Sequence, residues 1–232
     1  MNKIIVVGCG GIGSHLIQSL CRYLNSVNYD GEIYFIDGDK FEYKNTDRQE
    51  FPEALIGYNK AEAMQILYNK KYPELKIYSI QEYLGEDNIN NHITDGCVVF
   101  SGVDNHTARY YISKRCQELD NVTFISGGNS DRLDGNVQLY LKQNGEEKTP
   151  PIENRHPEVI NTSGDRSKMS CQELAQIPGG EQVIFANQYA ALIMVLFYYN
   201  LTNNPKGIEN CEEVYFDGFF VKTKRIISGK PE

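Results

Sequence analysis

A short apolar run, Ile4-Ile5-Val6-Val7, passes directly into Gly8-Cys9-Gly10-Gly11-Ile12-Gly13, after which Ile12, Leu16, Leu20 and Leu24 recur on one helical face. Strand, tight turn and helix in that order form the glycine-rich unit of nucleotide-binding α/β folds. Gly8, Gly10 and Gly13 fill the motif and Gly11 lies within it. Missing Cβ atoms there let backbone N–H groups at the helix N-terminus approach a phosphate. The turn serves NAD, FAD and ATP alike, so it constrains the fold more than the ligand.

The same rhythm continues along the chain. Ile33-Tyr34-Phe35-Ile36 reads as a second strand, residues 59–72 as a helix with Ala61, Met64, Ile66 and Leu67 on its apolar face, and 75–80 as a third strand. Cys97-Val98-Val99-Phe100 is a fourth, followed by a helix over 105–119 capped by Asp104 or Asn105, and by a fifth strand at 122–125. Strands alternating with helices predict a Rossmann-like, mostly parallel doubly wound sheet with its ligand at the carboxyl ends of the strands. Beyond Gly127-Gly128 the pattern changes: 135–142 alternates like a half-exposed strand and 214–227 reads as a closing strand pair, an antiparallel C-terminal extension. Residues 144–172 have no sustained period, as in functional or disordered loops.

Composition narrows the functions. With 232 residues and 41% hydrophobic content the chain can bury one substantial core, and we read it as a single domain with a C-terminal extension. A net charge of -8 argues against nucleic acid as the main partner. Cys9, Cys21, Cys97, Cys116, Cys171 and Cys211 show no C-x-x-C spacing, so we expect neither a zinc site nor a disulfide framework. The opening apolar run is too short for a secretory signal, and a reducing cytoplasm is expected. Residues 183–201 are apolar but carry Asn187, Gln188 and Asn200; a buried core helix or an oligomer interface fits them better than a membrane span, and we expect a homodimer.

Charged residues separate the nucleotides. Asp37, closing the second strand, can accept hydrogen bonds from ribose hydroxyls, a role shared with NAD enzymes. Asp39 is as suited to a turn as to the site. Arg48 and Lys60 follow at the ligand edge of the sheet; singly each reads as a surface charge, but a triphosphate needs cations where a pyrophosphate bridge needs only backbone donors. Asp104, just past the fourth strand, decides between these readings. A carboxylate beside a polyphosphate is repulsive unless a cation such as Mg2+ lies between them.

Taken together, Gly8-Cys9-Gly10-Gly11-Ile12-Gly13-Ser14, Asp37-x-Asp39 with Asn45, Arg48 and Gln49, Asn59-Lys60-Ala61, and Gly102-x-Asp104-Asn105 with Arg109 resemble the ThiF/MoeB-like adenylating family, bacterial relatives of ubiquitin-activating enzymes. The match covers roughly the first 130 residues. Gly127-Gly128-Asn129, Ser170-Cys171 and the closing strand pair look similar to ThiF-type proteins of PRTRC gene systems. The resemblance implies one adenylation domain over 1–232, with a nucleotide-binding half at 1–130 and a C-terminal half at 131–232. It also implies Mg-ATP as ligand and a small ubiquitin-like β-grasp protein whose C-terminal carboxylate becomes an acyl adenylate. Carried over by position, Asp37 holds the ribose, Arg48 and Lys60 the phosphates, Asn45 and Gln49 a polar wall, and Asp104, with Asn105 beside it, the magnesium.

Two departures from the family pattern stand out. Many members bind structural zinc through two C-x-x-C pairs, which this sequence lacks, and many supply an arginine to the partner subunit from an N-terminal helix, whereas here the first strand begins at Lys3. The expectation is that another arginine substitutes, that activation is weaker, or that adenylation is lost. Cys171 stands where some members carry a cysteine that takes the activated protein as a thioester; an inert, structural cysteine is the alternative, and the one we expect. The competing functions are a non-catalytic nucleotide-binding partner or scaffold and, against Arg48, Lys60 and Asp104, an NAD-dependent oxidoreductase.

Overall fold

The computed structural model describes residues 3–129, 133–160, 184–219 and 221–229. At its centre lies β1 (Lys3–Val7), whose alternation sends Ile4 and Val6 into the core on one face of the sheet and Ile5 and Val7 into the core on the other. A strand buried on both faces needs cover on both. On one side, α1 (Gly11–Ser26), α2 (Lys60–Lys71) and a later helix, α5 (Ile184–Asn203), supply it. On the other are α3 (Ile89–His92), α4 (His106–Gln117) and the turns around Ile152 and Val159.

Parallel pairing joins β1 to β2 (Glu32–Ile36), β2 to β3 (Lys76–Ile80), β1 to β4 (Val98–Ser101) and β4 to β5 (Val122–Asn129). Val7 is level with both Ile36 and Ser101, and Ser101 with Ser126, so four strands open at one edge. Antiparallel strands complete the sheet: β6 (Asp134–Gln143), β7 (Glu146–Glu147), β8 (Cys211–Asp217) and β9 (Lys222–Ile227). The order is β3-β2-β1-β4-β5-β6-β8-β9, with β7 on β6. Strand order reverses between β1 and β4, the switch point at which open α/β sheets bind ligands.

The expected fold class is the observed one. The helix read over 59–72 runs Lys60–Lys71 behind an Asn59 cap, and Asn105, whose side chain accepts from the Ala108 amide at 2.7 Å, caps α4 in preference to Asp104. The one-turn helix α3 was not anticipated, because four residues carry no period. The segment expected to be irregular holds, as far as residue 160, the two-residue strand β7 paired to β6 and short 3-10 turns at Ile152–Asn154 and Pro157–Val159, with no longer element. Helix α5 is long and apolar enough by composition to cross a membrane, but half of it is buried in the protein, against α1, β5 and β6.

Candidate functional site

A cavity of about 1330 Å³ opens along the strand ends, from the glycine turn past Asp104 to β8 and β9. Gly8 sits at φ +85°, and a Cβ on Gly13 would lie 1.8 Å from the Gly8 carbonyl oxygen, so the turn closes as tightly as it does only with glycine at both positions. The first turn of α1 holds no acidic residue of its own and its N-cap, Gly10, offers no side-chain cap.

Asp37 ends β2 beneath this turn. Its two oxygens accept from the Cys9 amide at 2.7 Å and the Asp39 amide at 2.8 Å. Burial raises its carboxyl above the ordinary range, opposed by Lys60 and by those two amides. Asn59 then ties the 37–39 loop to α2: its amide donates to the carbonyls of Asp37 (2.8 Å) and Asp39 (3.0 Å) while its oxygen caps the helix at the Ala61 and Glu62 amides. The next residue, Lys60, is thereby carried into the site.

The Lys60 ammonium, with 4% of its side chain exposed, lies 3.0 Å from Asp39 Oδ2. Burial opposes its charge, but Asp37 and Asp39 outweigh that cost and raise its pKa. Asp39 is also buried at some cost, yet the Tyr83 hydroxyl, which donates to Oδ1, and Lys60 hold its carboxyl below the usual value. Asp39 thus lines the cavity as well as forming the turn. Tyr83 is the site residue that sequence reasoning missed: its ring covers Gly38, where a Cβ would come within 2.5 Å of it, but it lies outside every motif.

Arg48 and Gln49 are buried in the cavity wall. Among the described residues the Arg48 guanidinium meets the exposed Asp47, at 3.4 Å, and Gln49 Oε1 has no partner. Gln49 and Lys60 both flank Gly10. Ser14 Oγ accepts from the Glu50 amide at 2.9 Å, pinning this segment to α1. Asn45 departs from the expectation that it shapes the polar wall. Its side chain is fully buried beneath the segment, where Oδ1 accepts from the Glu42 amide at 2.9 Å, and it does not line the cavity.

Asp104 is exposed on the opposite wall, with Asn105 next to it. The loop bearing it is braced by Arg109, which donates to the carbonyls of Val103 and Gly127, each at 2.8 Å. Among the described residues no three His, Cys, Asp or Glu side chains gather as a metal cluster. A carboxylate beside a glycine turn fits magnesium, which is usually held by one or two carboxylates together with substrate phosphates. Cys171 lies outside the described residues.

At the far arm of the cavity, the buried Glu213 accepts from Asn136 (2.5 Å) and His156 Nε2 (2.8 Å), while His156 Nδ1 meets Glu158 at 2.8 Å. Burial disfavours the charged imidazole, but the two carboxylates prevail and raise its pKa.

A glycine turn, an acidic strand end, buried cations and a facing carboxylate lie together at the switch point, the ligand end of a Rossmann-like α/β fold. The ThiF family model matches residues 1–221, and the chain belongs to that family. It is 32% identical over 149 residues to ubiquitin-like modifier-activating enzyme 5 of Aedes aegypti, covering 59% of this chain and 36% of that one. To the SAMP-activating enzyme E1 of Haloferax volcanii it is 27% identical over 127 residues, 54% of this chain and 45% of the relative. The chain therefore spans less than half the length of these relatives. Its fold is that of E. coli MccB, solved with ATP: TM-score 0.72, 20% identity, 99% of this chain and 64% of that one.

Proposed function

We propose that this chain binds Mg-ATP and adenylates the C-terminal carboxylate of a small ubiquitin-like protein. The observation that carries the reading is the convergence of the glycine turn, Arg48, Lys60 and Asp37 opposite Asp104, in a cavity that continues well beyond the space a nucleotide needs. Its relatives include enzymes named for activating ubiquitin-like modifiers, and the fold is shared with a protein solved bound to ATP.

In this reading Asp37 faces the ribose, Tyr83 lies beside it, and Arg48, Lys60 and the α1 N-terminus take the phosphates. Asp104 is the magnesium ligand, and the ion when bound offsets charge on the phosphates. A partner carboxylate oxygen bonds to the α-phosphorus as the bond to the bridging oxygen breaks and pyrophosphate leaves. The reacting groups are both anionic, so the work of the site is to neutralise charge and align the attack. A general base is unnecessary, because the carboxylate is already ionised at neutral pH.

The reading extends to the assembly. Phe185, Leu192, Leu196 and Tyr199 make an exposed apolar stripe on α5, the face we assign to a homodimer. A cytoplasmic setting, and partners that are neither nucleic acid nor membrane, complete the proposal on the strength of the acidic composition and the cysteine spacing.

A second reading, a nucleotide-binding subunit without catalysis, is favoured by one feature: Lys60 is already neutralised by Asp39. Partner-dependent ATP–pyrophosphate exchange separates the two. We expect exchange; ATP binding without exchange would support the scaffold, and tight NAD binding without ATP binding would sink both.

A further inference from the structure

In α5 the buried residues are Ala186, Ala190, Ala191, Ile193, Met194, Val195, Phe197, Tyr198 and one amide, Asn187. A buried polar side chain is the informative exception in such a helix, since it costs stability unless its hydrogen bonds are met. Asn187 is fully buried from solvent and both of its polar atoms are engaged. Nδ2 donates to the Arg48 carbonyl at 3.3 Å, and Oδ1 accepts from Asn129 Nδ2 at 2.9 Å. The amide also fills the space beside the glycine turn: a Cβ on Gly11 would stand 2.8 Å from Asn187 Nδ2.

One side chain thus touches the start of α1, the backbone of the buried arginine and the end of β5. Nothing else in the core of α5 requires an amide. A leucine or alanine would satisfy the packing against α1, whereas only a group with both a donor and an acceptor meets Arg48 and Asn129 together. We infer that Asn187 is a positioning residue for the triphosphate, fixing the Arg48 backbone against the glycine turn so that guanidinium and helix N-terminus address the same phosphates. The inference rests on the reading that this cavity takes ATP. It also gives α5 a role in the site, through its inner face, that is separate from the apolar stripe on its outer face.

The test compares ATP with AMP, which lacks the phosphates that Arg48 would hold. Calorimetry on wild type, Asn187→Ala and Asn129→Ala, with melting temperatures alongside, gives the affinities. Asn187→Ala is expected to weaken ATP by about tenfold, the worth of one well-placed hydrogen bond, and AMP by much less. Asn129→Ala, which keeps the bond to Arg48, is expected to leave the ATP-to-AMP ratio near that of wild type. Equal losses for both nucleotides in Asn187→Ala, in step with a lowered melting temperature, would make Asn187 a structural strut and overturn the inference. If Asn187→Ala does not fold, Asn187→Leu carries the test: it has a similar size and adds no charge near the phosphates, but cannot donate to the Arg48 carbonyl, and the same selective loss of ATP is expected. A wild type that binds no ATP would refute the underlying function, before any variant is compared, and the inference with it.

Discussion

Lys60 Nζ rests 3.0 Å from Asp39 Oδ2, so the cation best placed for a phosphate is already held by an anion. A nucleotide must replace Asp39 on Lys60, or share it. Lys60→Ala would leave Asp37 and Asp39 facing the phosphates unopposed, and ATP affinity should fall by about tenfold to a hundredfold. Asp39→Asn should instead tighten ATP by about threefold, because the competing charge is gone and the partly exposed pair is screened. Calorimetry at low and high salt measures both. A larger loss in Asp39→Asn than in Lys60→Ala would show that Asp39 itself holds the ligand.

Asp104→Ala should lower partner-dependent ATP–pyrophosphate exchange by about a hundredfold or more, the usual cost of losing an electrostatic contact made in the transition state. The α4 cap is kept in this variant, since Asn105 and not Asp104 provides it. Exchange at the wild-type rate would leave Asp104 without a role in catalysis.

His156 links stability to pH. Its pKa is raised in the folded chain, so its contribution is complete below the unfolded value of about 6.5 and is lost as pH rises through the higher folded value. Glu158, held below its usual value despite burial by its own backbone amide and by His156, acts in the opposite sense and loses its contribution in acid. Melting temperature should therefore decline as pH rises above about 6.5, and His156→Gln should flatten that decline. Parallel profiles for the two proteins would count against the link.

Leu192→Glu combined with Leu196→Glu should convert the proposed homodimer into monomer without unfolding it, because both positions are about half exposed in the single chain, at 50% and 46%. Light scattering gives the mass. An unchanged dimer would move the interface away from α5.

The fold was legible because its signals are local. Ile4 to Val7 against the glycine turn, the apolar face of residues 59–72 and Asn105 ahead of α4 each report on neighbouring residues alone. Much of the cavity wall was legible too, since Asp37, Arg48, Lys60 and Asp104, each singled out by charge and by place relative to the strands, all line it. What escaped depends on contacts across long stretches of chain. Tyr83 reaches Asp39 over 44 residues, Asn187 reaches Arg48 over 139, and His156 reaches Glu213 over 57. No periodicity encodes those distances. Asn45 misled for the complementary reason, because its place between site residues in sequence concealed a side chain turned inward to hold the turn.

The order of the sheet also behaves as a ruler. The cavity crosses the strands at their ends, and from β4, which leads to Asp104, to β9 there are four steps. At about 4.8 Å per step that is about 19 Å, which an extended peptide covers in about six residues. In the proposed reaction, a compact partner resting beyond β9 could deliver its terminal carboxylate to the phosphates only from a free tail of at least that reach. A tail shortened below it would fail however well the folded bodies matched, so selection between partners can be made by length before any side chain is read.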